Sequence, residues 1–296
     1  GVFRRQRQMC IRDRNERAKK YNSQINNLKV RLNKALNEDN LNELKQIILD
    51  NNIICPISGS CNWTDVKQFN LMFNTKFGAS LESSSDLYLR PETAQGIFLN
   101  YMNVLKTGRM KIPFGIAQIG KAFRNEIIAR QFIFRMREFE QMEMQFFIKP
   151  GDQKKWYEFW KDNRMKWHLS LGIDQNKFRF HDHEKLAHYA DAACDIEFDF
   201  PFGFKELEGI HSRTDFDLSN HEKYSNKQIK YFDPTENKKY TPYVLETSIG
   251  VDRMFLAVFS SSLVSEKIDD NSERVVLKLP LSLIHISEPT RHMNIS

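Results

Sequence analysis

FGIAQIGKAFRNEIIARQFIFRMREFEQMEMQFFI, residues 114–148, is the stretch whose reading decides the fold of this chain. Its two apolar runs, 114–119 and 146–148, enclose Arg124, Asn125, Glu126, Arg130, Arg135, Arg137, Glu138, Glu140 and Glu143. Two strands joined by a basic loop is the simplest reading. On the second strand the two-residue pleat sends Arg137, Phe139, Gln141, Glu143 and Gln145 to one face, and Glu138, Glu140, Met142, Met144 and Phe146 to the other. A strand that only held a core would put hydrocarbon inward. This one offers cations for phosphates, a ring for a base and acceptors for an amine. A solvated hairpin with a salt-bridged surface fits the strand pattern equally well.

Working outward, both ends of the chain read as foreign. LSLIHI at 281–286 can be written CTG TCT CTT ATA CAC ATC, and its reverse complement reads through ATG TGT ATA AGA GAC, which encodes Met9 to Asp13. Residues 1–14 and 281–296 therefore resemble translated sequencing-library adapters, and the native stretch is expected between Asn15 and Pro280. The two ends hold six of the 44 Lys+Arg and two of the 38 Asp+Glu, which leaves 38 against 36 and a net charge of +2 in place of +6. Bulk basicity then gives no warrant for nucleic-acid binding, and such a claim must rest on local sites. No apolar run reaches the roughly 18 residues of a membrane span. With Cys10 discounted, Cys55, Cys61 and Cys194 are too few for a disulfide scaffold, and a reducing, cytoplasmic setting is expected.

Residues 15–54 are expected to form a helical hairpin, an appendage or insertion. Ile25, Leu28, Leu32 and Leu36 recur at helical spacing, as do Leu41, Leu44, Ile47 and Ile48 after a break at 38–40. Cys55 and Cys61, with no second pair, are a weak zinc signal and are read as buried or unpaired thiols. His181 and His183 form an H-x-H read as a capping or surface pair. Glu92 sits where a helix begins, a place the helix dipole alone favours for a carboxylate. Further helices are expected at 156–171 and 252–263, and strands at 195–200, from 206, at 242–248 and at 275–279, with the acidic stretch 269–273 as a loop. Hairpins and antiparallel runs with intervening helices give an α+β sheet domain over 55–280.

F-R-N-E at 123–126, followed after a loop by R-x-x-x-F at 135–139, resembles motif 2 of the class II aminoacyl-tRNA synthetases. E-T-S-I-G-V-D-R at 246–253 resembles their motif 3. RPETAQGIF, PFGIAQIGKAFRNEI, REFEQMEMQFF, HYADAACDIEFDFPFG and YVLETSIGVDR, in this order, resemble the dimeric glycyl-tRNA synthetase family over roughly residues 55–280. The resemblance implies an antiparallel sheet flanked by helices, ATP with Mg²⁺, glycine and tRNA(Gly) as substrates, and a homodimer for the full-length protein, with no membrane association.

The resemblance also implies site residues. Arg124 and Arg253 are the catalytic cations. Arg124 would clamp the α-phosphate and the glycine carboxylate, while Arg253 would cover the adenine and reach toward the terminal phosphate. Asn125, Glu126, Phe134, Arg135, Met136, Arg137 and Glu138 belong to the ATP side, with Phe139 stacking on the base. Glu206, Leu207, Gly250, Val251 and Asp252 complete that side, and Glu206 is the candidate Mg²⁺ ligand. On the glycine side, Glu92, Glu246 and Ser248 match ammonium-binding positions and Arg213 a carboxylate partner. Phe139, Glu140, Gln141, Met142 and Glu143, with Thr247, Ile249 and Gly250, would wall the pocket.

Motif 1, an upstream substrate-binding Arg and the anticodon-binding domain have no counterpart in 15–280. The chain as it stands is therefore expected to be poorly active or unfolded. Two other readings stay in view: a synthetase-like RNA-binding or regulatory module without activity, and another class II synthetase. Retention of Arg124, Arg253, Glu92 and Glu246 speaks against the first, and the PETAQG and ETSIG runs against the second.

Overall fold

The computed structural model describes residues 21–283 except 68, 79, 81–82, 128, 130–131, 185, 188, 270–271 and 281–282. Both adapter-like ends, Leu283 apart, and Arg130 lie outside the described residues. The chain divides into two compact units between Asn70 and Leu71, so residues 55–70 belong with the first unit and not with the sheet domain.

In the first unit a helix covers residues 21–37, here α1, and α2 spans Leu41–Asp50. Asp39 turns the chain at φ +48°, and Asn40 caps α2 by accepting from the Glu43 amide at 3.0 Å. The apolar stripe of α1 is rotated from the expected one. Ala35 is buried, whereas Leu32 and Leu36 are exposed, and Arg31 uses that face to reach Glu43 and Asp50. Cys55 and Cys61 are unpaired, with Cys61 exposed.

The second unit is built on six antiparallel strands in the order β3-β4-β10-β7-β6-β5, with β3 Phe114–Phe123, β4 Glu138–Ile148, β5 Phe178–Asp182, β6 Ala192–Phe200, β7 Gly203–Thr214 and β10 Tyr243–Gly250. Three separate hairpins accompany it: β1 Asn74–Phe77 with β2 Ser85–Tyr88, β8 Tyr231–Asp233 with β9 Lys238–Tyr240, and β11 Leu263–Asp269 with β12 Ser272–Leu277. Of the stretch expected as a loop at 269–273, Asp269 ends β11 and Ser272 and Glu273 begin β12, while 270–271 lie outside the described residues. Helices α3 Ala94–Thr107, α4 Gln153–Ser170, α5 Phe216–Ser225 and α6 Val251–Ser262 pack around the sheet. Gly203, at φ +99°, makes the β6–β7 turn that a side chain would strain.

One face of the sheet is mostly apolar, with Glu208 of β7 buried in it against Arg164 and His168 of α4 at 2.6 Å each. Met142, Phe146, Cys194, Ile196, Phe198, Leu207, Ile210, Leu245 and Ile249 meet Tyr157 of α4 and Met254 and Ala257 of α6 there. The other face changes character along the strands. At one end Phe114, Phe147 and Val244 lie in register and pack under Ile97, Phe98 and Tyr101 of α3 and Leu218 of α5. Towards the other end the residues of this face become polar.

Candidate functional site

The polar half of that face follows directly from the register. One row crosses all six strands as Gln118, Glu143, Ser248, Gly209, Asp195 and His181. The adjacent row runs Ile116, Gln145, Glu246, His211 and Ala193. On β4 the face that the pleat predicted to be polar is the buried one: Gln141, Glu143 and Gln145 are each under a tenth exposed. A solvated hairpin is therefore excluded. The Glu143 carboxylate and the amide nitrogens of Gln141 and Gln145 have partners, whereas the two amide oxygens are buried without one.

Above them lies a cleft of about 260 Å³. Glu246 is at its floor, 4 % exposed, and accepts from Arg213 Nη1 at 2.7 Å, Gln145 Nε2 at 2.7 Å and His211 Nδ1 at 3.1 Å. Arg213 continues as a two-bond fork onto Asp217, at 2.8 and 3.0 Å, and stands 3.6 Å from Glu92. The Tyr189 ring lies 4.4 Å beneath its guanidinium. Glu143 accepts from Ser248 Oγ at 3.0 Å and from Gln141 Nε2 at 3.3 Å, and is hydrogen-bonded to the Thr93 hydroxyl. Thr93 stands at the N-terminus of α3 and makes no capping bond, because its hydroxyl is turned to Glu143. Glu92 precedes the helix, so the helix-dipole explanation of its position does not apply.

The electrostatics are uneven. Burial pushes the Glu246 carboxyl up, but the His211 hydrogen bond and the Arg213 charge outweigh it and hold the group well below the usual carboxylate range. Burial works on Glu143 in the same direction, the Glu246 charge adds to it, and the group is raised to about 7. Burial also raises Glu92 against the pull of Arg213. For His211 burial lowers the pKa, and the Glu246 bond and charge more than reverse it. Beside this floor His183 Nε2 bonds Asp195 at 2.8 Å, and ligand-type atoms of His183, Asp195 and His211 lie within 4.8 Å of one another. Of the H-x-H, His181 is on the surface as expected, meeting Glu197 at 3.1 Å, while His183 is half-buried on Asp195.

The cleft mouth is basic and aromatic. Arg124 donates from Nε to the Pro91 carbonyl at 3.1 Å, and its guanidinium lies 5.1 Å over the Phe139 ring. Arg253, from the first turn of α6, donates to the carbonyls of Glu206 and Phe134 at 3.0 and 3.1 Å and pairs with the Glu206 carboxylate at 3.2 Å. Phe134 is wedged edge-on against Phe200 and Phe202. Glu126 and Arg135 stand 3.9 Å apart in the connecting loop.

Seventeen of the 25 residues expected in the site line this cleft. They are Glu92, Arg124, Glu126, Phe134, Arg135 and Met136; Phe139, Glu140, Gln141, Glu143, Glu206 and Arg213; and Glu246, Ser248, Gly250, Asp252 and Arg253. Eight do not. Met142, Leu207 and Ile249 belong to the core on the far side of the sheet, and the pleat turns Thr247 the same way. Within a regular strand alternate residues face opposite sides, although at the start of β4 Phe139, Glu140 and Gln141 all border the cleft. Asn125 uses its backbone amide on the Leu71 carbonyl at 2.7 Å, Arg137 bonds the Glu126 carbonyl, and Glu138 pairs with Lys121 on the surface. Val251, the first residue of α6, is also off the cleft. Ile133, Tyr189, Gly209 and His211 line it without having been expected. Stepping back from Arg213 by twos along β7 would have found His211 and Gly209; nothing local marks Tyr189.

An antiparallel sheet carrying a floor of carboxylates, with an arginine on the motif-2 hairpin and another on the helix after the last central strand, defines a class II aminoacyl-tRNA synthetase core. The chain belongs to that family: the model of the tRNA synthetase class II core domain (G, H, P, S and T) matches residues 76–262. The glycyl-tRNA synthetase insertion domain 1 matches residues 4–71, which is nearly the first unit and includes part of the adapter-like stretch. The particular proteins it is similar to are glycine–tRNA ligases. That of Chlorobaculum tepidum is 56% identical over 243 residues, 82% of this chain and 52% of the relative. That of Staphylococcus haemolyticus is 51% identical over 233 residues, 78% and 50%. The chain thus spans about half the length of the curated relatives it matches. Among solved structures, prolyl-tRNA synthetase of Giardia lamblia in complex with prolyl-adenylate is 20% identical, with a TM-score of 0.49 over 64% of this chain and 37% of that one. Among the described residues no helix is long and apolar enough to cross a membrane.

Proposed function

We propose that this chain carries the amino-acid-activating site of a glycine–tRNA ligase. The observation that carries the reading is a small cleft floored by Glu92, Glu143, Glu246 and Ser248, with Arg124, Phe139 and Arg253 at its mouth. An amino acid without a side chain presents only an ammonium and a carboxylate, and a floor of buried carboxylates matches the first while offering no apolar lining for a side chain. The ammonium is held by Glu92, Glu143, Glu246 and Ser248. Arg213 has three N–H groups already committed to Asp217 and Glu246, so its main task is to fix that floor, and Arg124 is the better placed cation for the glycine carboxylate.

Activation joins a glycine carboxylate oxygen to the α-phosphorus of ATP, and pyrophosphate leaves in line. A ribose hydroxyl at the tRNA 3′ end then attacks the adenylate carbonyl and AMP leaves. The chain's part is positioning and neutralisation. Phe139 stacks on adenine, Arg124 holds the α-phosphate, and Arg253, kept in place by the two carbonyls, faces the outer phosphates. Glu206 is the carboxylate that fits Mg²⁺, being 53 % exposed at the mouth with Arg253 its one ion-pair partner among the described residues. ATP phosphates and water would complete the shell. When bound, the ion would offset charge on the phosphates. tRNA(Gly) as partner, a homodimer for the whole protein and a cytoplasmic setting belong to the same reading.

The test is binding of 5′-O-(glycylsulfamoyl)adenosine, a stable mimic of the adenylate, to the 296-residue chain. At about a hundredfold excess over Kd it should stabilise by about 2.7 kcal/mol. The alanyl and seryl analogues should bind at least tenfold more weakly; equal or tighter binding of either overturns the substrate assignment.

A further inference from the structure

The floor of the cleft contains more negative charge than its cations can match. Arg213 and His211 both turn to Glu246, Arg213 also serves Asp217 and Glu92, and Arg124 is on the Pro91 carbonyl. Glu143, 3 % exposed, is left with two hydroxyls and one amide. Among the described residues no Lys, Arg or His nitrogen lies within 4.0 Å of it. The groups that face it are Glu92 ahead of α3, Glu246 on β10, Arg213 and His211 on β7, and Arg124 from the loop after β3. Two of these are acids nearby, and the cations already have carboxylate or carbonyl partners.

We propose that Glu143 is the proton-exchanging partner of the substrate ammonium: it is a neutral carboxyl in the empty cleft and releases its proton to solvent when the ammonium enters. The proposal rests on the glycine reading above and adds to it a stoichiometry. The balance is Glu143–COOH plus ⁺H₃N–CH₂–COO⁻ giving the ion pair Glu143–COO⁻···⁺H₃N–CH₂–COO⁻ and one H⁺ in the buffer. A buried carboxylate beside two others is unfavourable until a cation arrives, and the ammonium of the substrate is the cation that reaches this end of the cleft. The raised titration of Glu143, to about 7, sets where this matters. Below that pH binding must expel a proton, and above it the site is already ionised. Glycine affinity should therefore fall tenfold per pH unit below about 7, a dependence that Glu246, already ionised, cannot produce. Ligands that keep the carboxylate but lack the ammonium, such as glycolate or N-acetylglycine, should release no proton.

The experiment is calorimetric titration of the 296-residue chain with glycine in two buffers of different ionisation heat. At about pH 6 close to one proton should be released per glycine bound, and at about pH 8.5 close to none. In E143Q the release should vanish at both, with glycine Kd raised about tenfold or more at the higher pH. Equal heats in both buffers at the lower pH, with glycine bound, overturn the proposal. Absence of any glycine heat at either pH would instead refute the glycine reading. A measurement on the ligand-free chain separates the two: with ¹³C-carboxyl glutamate, one side chain should titrate near neutrality and be missing from E143Q. If every glutamate titrates in the ordinary carboxylate range, Glu143 is not the proton site even where glycine binds.

Discussion

Replacing Arg213 by methionine removes the cation on which the buried floor depends while keeping most of the side chain's volume. Arg213 is 5 % exposed, bonds Glu246 through Nη1, and forks onto Asp217 through Nε and Nη2. Its loss leaves Glu246 with His211 and Gln145, and leaves Asp217 and Glu92 without their cation. Breaking a buried pair from one side costs about 3–5 kcal/mol. At about 2–4 °C per kcal/mol for a unit of this size, Tm should fall by roughly 6–20 °C. The converse change, E246Q, leaves the Asp217 fork intact and gives up one charged hydrogen bond, so it should cost only about 1–3 kcal/mol. The double variant should cost less than the sum of the two by at least about 1 kcal/mol, since each change removes the same contact. Urea unfolding of the three variants, repeated in high salt, reads all of this. The pair is buried, so salt should not restore the loss. If R213M shifts Tm by under about 2 °C, or E246Q proves the more damaging, Arg213 is not the counter-ion of this floor and the charge assignment fails.

Other expectations follow from the same geometry. A Cβ on Gly209 would come within 2.7 Å of His211 Cε1, so G209A should displace the ring from Glu246, cost about 1–3 kcal/mol and weaken glycine binding; an unchanged chemical shift for His211 in G209A would refute this. F139A should weaken the adenosine analogue by about 1–3 kcal/mol, the worth of one stacked base, and leave glycine affinity measured without nucleotide nearly unchanged. Stability should depend on pH in two opposite senses. Glu246 is held below its ordinary value, so its contribution is present above about pH 4.5 and is lost as pH falls through its folded value. Glu143 is held up to about 7, so the stability linked to its proton is present below about pH 4.5 and is lost as pH rises through 7. Thermal melts should show E143Q flattening the second loss, and should show the acid-side loss shrinking in E246Q.

The sequence by itself determined the sheet and the identity of the chemistry-bearing types. Alternation on β4 and β10, the breaks at 201–203 and 250, and the spacing of Ile97, Phe98 and Tyr101 are local signals, because pleat and helix period depend only on neighbouring residues. The alternation on β4 put Glu143 on the polar face, while Glu246 and Ser248 came from the family resemblance, and the register sets all three on one face. A contiguous motif cannot say which of its members face the site, and Met142, Leu207, Thr247 and Ile249 were included for that reason, although the pleat turns them to the core. Tertiary structure alone decided how the acids are shared out. Glu246 and Glu143 are the same residue type on adjoining strands, yet Arg213 and His211, brought in by β7, reach one and not the other. That difference depends on distances of a few ångströms in a medium from which water is excluded, where charge interactions are strong and spacing along the chain carries no information about them.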